Sequence, residues 1–143
     1  HMAARRRKTS AAKPRRRGGY LEHREQVQFV AWFRLTYPDL ARLLYAIPNG
    51  VATSKANGAR LKAEGVTAGI PDLCLAVPRN GHHGLYIEMK RSDGLGRVSK
   101  SQHELIDLLR RQGYQVSVCH GADEARSVAT LYLGQNAEES IFT

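Results

Sequence analysis

Two apolar runs joined by a short linker fix the centre of any fold open to this chain. Asp72 to Val77 (DLCLAV) is continuous and apolar, the pattern of a strand covered on both faces. Leu85 to Lys90 (LYIEMK) alternates instead, with Leu85, Ile87 and Met89 on one face and Tyr86, Glu88 and Lys90 on the other. The linker from Pro78 to Gly84 is short enough for a hairpin. A strand sealed on both faces must lie inside a layered fold, so helices have to pack on this sheet.

The flanking sequence supplies those helices. Tyr20 to Tyr37 has helical spacing at Val27, Val30 and Phe33, and Pro38 ends it. Leu43 to Ile47 reads as a strand with Pro48-Asn49-Gly50 as its turn, followed by loop over 51–57. Gly58 to Glu64 reads as a short helix stopped by Gly65. Residues 99–112 form an amphipathic helix with Leu105, Ile106, Leu108 and Leu109 expected inward, and Gly113 closes it. Tyr114 to Cys119 returns as a strand, and 122–133 is a last helix carrying Ala125, Val128, Ala129 and Tyr132. The expected order is α-β-α-β-β-α-β-α, an α/β fold with a mixed sheet flanked by helices.

Charge divides the chain. Residues 1–19 hold eight basic side chains, Arg15, Arg16 and Arg17 among them, and no acid. The rest carries 14 basic against 13 acidic residues, so nearly all of the net charge of +9 belongs to the arm and not to the domain. The expected organisation is a disordered basic arm over 1–19 (with His1-Met2 read as a cloning remnant), a domain over 20–134, and a frayed polar tail over 135–143. Such an arm suits nonspecific phosphate binding that weakens steeply with salt. No apolar run is long enough for a membrane span or a signal sequence. Cys74 and Cys119 lie in strand-like runs and make neither a disulfide framework nor a zinc site, which points to a reducing compartment.

Chemistry concentrates between Gly69 and Lys90. If the two central strands pair, Asp72, Glu88 and Lys90 converge at one end of the sheet. Two carboxylates beside a lysine make a hard-oxygen site for a divalent cation, and the small ligand number suits Mg²⁺ with a phosphate-ester substrate. A plainer reading stands beside it, because an E-x-K on an alternating strand is commonly a solvated ion pair, and Asp after Pro a turn residue. Ser99 and Gln102 form a capping box, which alone accounts for both residue types. His82-His83 lie in a Gly-flanked loop, and His23, His103 and His120 show no ligand spacing. No P-loop, dinucleotide-binding glycine motif, serine nucleophile elbow or C-x-x-C is present.

GIPDL, then IEMK, then SKSQ, preceded by an acidic helix and PNG, resembles the VRR-NUC family, a branch of the PD-(D/E)XK nuclease superfamily, over about residues 20–133. The chain is similar to its small standalone phage and bacterial members. The resemblance implies a restriction-endonuclease-like fold, Mg²⁺- or Mn²⁺-dependent hydrolysis of DNA, a preference for four-way (Holliday) junctions, a homodimer, and the cytoplasm of a bacterial or phage-infected cell. It makes Asp72, Glu88 and Glu22 the metal ligands and adds Lys90 and Gln102 to the catalytic set. Glu22 with Gln26 fits the family's first-helix acid better than Glu25 with Gln28. Asn49, Lys55, Lys100 and the arm arginines are the expected DNA contacts. The chain departs from the pattern of the family it resembles after Asn49-Gly50, where many members have a second Gly. Two alternatives stay open: a flap-directed, nick-directed or less selective nuclease, and a noncatalytic DNA-binding module on the same fold.

Overall fold

The computed structural model describes residues 17–49 and 53–135. Within them, α1 (Arg17–Thr36), β1 (Leu44–Ala46), α2 (Lys55–Ala63), β2 (Leu73–Leu75), β3 (Leu85–Lys90), α3 (Lys100–Arg111), β4 (Gln115–His120) and α4 (Ala122–Leu133) follow in the expected order. One sheet runs β1-β2-β3-β4. β1 to β2 and β2 to β3 are antiparallel, and β4 joins β3 in parallel after the α3 crossover. The expected hairpin is present, with Leu73 opposite Ile87 and Leu75 opposite Leu85.

The core fills one face of the sheet. Leu73, Leu75, Leu85, Ile87 and Met89 pack there against Phe29 and Phe33 of α1 and Ala125, Ala129 and Tyr132 of α4. The small residues Ala125 and Ala129, one turn apart on α4, allow close approach. The buried Tyr132 hydroxyl donates to the Val77 carbonyl, so no polar group is stranded beneath the helix. Alternation sends Tyr86, Glu88 and Lys90 to the opposite face, where α3 lies.

The structure moves several expected boundaries. α1 starts at Arg17, so Gly18 and Gly19 sit in its first turn and do not close an arm at residue 19. Pro38 ends α1 but opens a 3-10 turn over Pro38–Leu43, since proline is tolerated at a first helical position. α2 begins at Lys55 and not at Gly58, because the Ser54 hydroxyl accepts from the Asn57 N–H and starts the helix early. β2 is shorter than the apolar run that contains it. Leu108 is 52% exposed, against the expected inward position. At 100° per residue it stands about 200° around α3 from buried Ile106. Residues 1–16, 50–52 and 136–143, and with them most of the expected arm and tail, lie outside the described residues. Among the described residues, no helix is long and apolar enough to cross a membrane.

Candidate active site

Asp72 immediately precedes β2, and the register that pairs Leu73 with Ile87 sets it beside Glu88. Its Oδ2 accepts the Met89 N–H at 2.7 Å, which fixes the carboxylate at the end of the sheet. Across the strand, Gln102 on the first turn of α3 reaches down to both members of the E-x-K. Its Nε2 donates to Glu88 Oε1 at 2.8 Å, and its Oε1 accepts from Lys90 Nζ at 3.1 Å. Lys90 Nζ also lies 3.6 Å from Glu88 Oε1. Asp72, Glu88 and Lys90, expected from sequence at one end of the sheet, therefore lie together there, and Gln102 joins Glu88 and Lys90.

Gln102 serves the helix at the same time. Its Oε1 accepts the Ser99 N–H at 2.8 Å, and Ser99 Oγ accepts the Gln102 N–H at 3.2 Å. The capping box and the site contact are both made, by one side chain.

The plain reading of Glu88 and Lys90 as a solvated pair fails on burial. Glu88 is 3% exposed and Lys90 7%. Removing an ion from water costs several kcal/mol, so a buried acid here must be neutralised or partnered. Burial pushes the Glu88 carboxyl up to about 8, with the Asp72 charge adding to the rise and Lys90 opposing it. Burial also raises Asp72, against the pull of the Met89 N–H. Burial and mutual repulsion both favour the neutral form of this acid pair unless a cation balances its charge. Glu88 Oε2 is buried with no hydrogen-bond partner. An acid pair held up in pKa, with an orphaned oxygen, has the donor chemistry for one hard divalent cation.

Glu22 lies on the rim. Burial raises its carboxyl, and the charges of Lys90 and Asp72 act on it with opposite signs. A Cβ added at Gly96 would stand 3.4 Å from Glu22 Oε1 and 3.5 Å from Lys90 Cδ, so the loop after β3 passes close to both. Among the described residues, no group of three His, Cys, Asp or Glu side chains is already drawn together as a metal site. Glu25 is engaged elsewhere, accepting the Ser92 N–H at 3.1 Å.

The expected DNA contacts are scattered. Lys100 opens α3 and Lys55 opens α2, both exposed. Asn49 is exposed but its Nδ2 donates to the Thr67 carbonyl at 3.2 Å, which ties the turn to the loop before Ile70. Arg17 is the first residue of α1, while Arg15 and Arg16 lie outside the described residues. Sequence reasoning passed over Gly69. It has φ +85, and a Cβ on it would stand 2.4 Å from the Ser101 carbonyl oxygen and 2.9 Å from the Gln102 nitrogen. Only glycine lets the loop that delivers Asp72 press against the turn that delivers Gln102. Its place at the head of G-I-P-D was the available signal.

With this geometry in place, comparison with known proteins is informative. A model of the VRR-NUC domain matches residues 8–123. A solved structure of a VRR_NUC domain protein superposes with a TM-score of 0.72 at 29% identity, covering 81% of this chain and 90% of the other. No curated protein matches.

Proposed function

From the premise that the chain belongs to the VRR-NUC family of PD-(D/E)XK nucleases, we propose that it is a Mg²⁺- or Mn²⁺-dependent, structure-selective DNA endonuclease that cuts four-way junctions as a homodimer. The observation that carries the reading is the buried Glu88 and Lys90, both held by Gln102, with Asp72 set beside Glu88 by the strand register. A solvated ion pair would need none of that burial.

Asp72 and the orphaned oxygen of Glu88 would hold the cation, with Glu22 joining them directly or through water. When bound, the cation polarises the phosphodiester and lowers the pKa of the attacking water. The chain's own groups do the rest. Lys90 faces the acid pair and orients the water or stabilises charge on the phosphorus centre. Gln102 holds the Lys90 ammonium and the Glu88 carboxyl at fixed separation, so neither has to reorganise as charge builds. Lys100 and the basic arm add phosphate contacts, which makes affinity salt-dependent. Two-fold symmetry would present two such corners to opposed strands of a junction.

The test is cleavage of end-labelled four-way junction, flap, nicked and linear DNA in Mg²⁺, Mn²⁺ or EDTA, with Lys90→Ala as the contamination control. Paired cuts at the junction, lost in EDTA and in the variant, are expected. Cutting of flaps or linear duplex instead keeps the chemistry and discards the junction. Tight binding without cutting in any condition makes the protein a binding module.

A further inference from the structure

Glu22 and Glu25 both sit in the N-terminal half of α1, and the structure gives them different work. Glu25 Oε2 accepts the N–H of Ser92, two residues beyond Lys90. Its other oxygen lies against Gly121, where an added Cβ would be 2.8 Å from Glu25 Oε1 and 2.8 Å from the Ser92 Cβ. Gly121 is buried at φ +97, and its N–H donates to the Lys90 carbonyl at 3.0 Å. One carboxylate therefore grips the chain on the far side of Lys90, in a pocket walled by the residue that grips the Lys90 backbone itself. Three elements meet there: α1, the exit of β3, and the turn from β4 into α4.

We infer that Glu25 is a positioning residue, which clamps the segment after β3 and so holds Lys90 toward Gln102 and Glu88. The inference rests on the nuclease reading above. The side chain acts as a hydrogen-bond acceptor, and its charge is incidental. Without the clamp, the Ser92 N–H loses its partner and the loop over 91–97 is freed at its root, directly beside the lysine. Misplacing a reacting group by about 1 Å costs on the order of 100-fold in rate. Gly121 belongs to the same device, because any side chain there would push Glu25 off Ser92.

The test compares Glu25→Ala, Glu25→Gln and Glu22→Gln in the full chain, reading kcat and KM together with amide exchange at Ser92 and Gly121. Glutamine keeps an oxygen that accepts from Ser92. Glu25→Ala is expected to lower kcat by about 10- to 100-fold with KM and the metal requirement unchanged, and to speed exchange at both amides. Glu25→Gln is expected to restore most of both. Glu22→Gln should lose activity while leaving the two amides protected. Glu25→Gln failing as badly as Glu25→Ala would overturn the inference, because charge and not acceptance would then matter. Unchanged exchange in Glu25→Ala would overturn it as well. If the wild-type chain cuts no DNA, the nuclease reading falls and takes the catalytic half with it, while the exchange data still decide whether the clamp exists.

Discussion

Ile87 and Glu88 are neighbours on β3 and are buried to almost the same degree, 0% and 3% exposed. They point to opposite faces, and the energetics run in opposite directions. On Ile87's side the face meets α1 and α4 through apolar contacts that hold the molecule together. On Glu88's side the face sets two acids and a lysine under the first turn of α3, an arrangement that costs stability unless a proton or a cation neutralises the pair. One strand thus carries both the strongest part of the scaffold and its most strained electrostatics. The lesson is that the second can be maintained only because the first fixes the strand so firmly.

Asp72→Asn is the hardest blow to the polar face. Cleavage should fall on the order of 1,000-fold or more, since several kcal/mol of charge stabilisation is lost, with no loss of melting temperature. A purified variant that cuts at the wild-type rate would remove the acid pair from the mechanism. Ile87→Ala strikes the other face and should lower unfolding free energy by about 2–5 kcal/mol in urea titrations. Its folded fraction should still cut. Loss of activity without loss of stability would show that the two faces are not separable in this way.

Gly69→Ala is a smaller and more pointed change. A Cβ there meets the Ser101 backbone at 2.4 Å, so the first turn of α3 must shift and carry Gln102 with it. A rate loss of about 10- to 100-fold is expected, with α3 still helical by circular dichroism. The smallest effect concerns pH. Glu88 is raised from 4.5 to about 8, so the folded state binds more protons than the unfolded one across that window. Stability of the metal-free protein is therefore greatest at low pH in this respect and declines as pH rises from about 4.5 to 8. Glu88→Gln should melt higher than wild type at pH 8, with the gap closing toward pH 4.5. Mg²⁺ should raise the wild-type melting temperature more at pH 8 than at pH 6. A gap that grows toward acid would reverse the direction of the Glu88 shift.

Much of this was legible in order and type. The β2–β3 hairpin, the limits of β3, the cap at Ser99 and the convergence of Asp72, Glu88 and Lys90 all follow from local pattern, because strand alternation and capping chemistry are short-range. The burial of Glu88 and Lys90 was not. An alternating strand reads as half-solvated, and what covers these two is Gln102, twelve or more residues downstream and brought in by a crossover. Leu108 misled for the opposite reason, since composition suggests an inward leucine where the helical angle turns it out. The division of labour between Glu22 and Glu25 depends on Ser92, 67 residues away from Glu25 in the chain, and no spacing rule reaches that far.

Gln102 also bears on how such a protein tolerates change. Its two ends are committed to the start of a helix and to the chemistry of a cleft, so there is no substitution at this position that a search for sturdier variants and a search for altered activity would see differently. Ser99 and Gly69 inherit the same entanglement through it. Engineering for robustness should therefore start on α4 or on the exposed flank of α3, far from a residue whose mutational record would read as one phenotype when it is two.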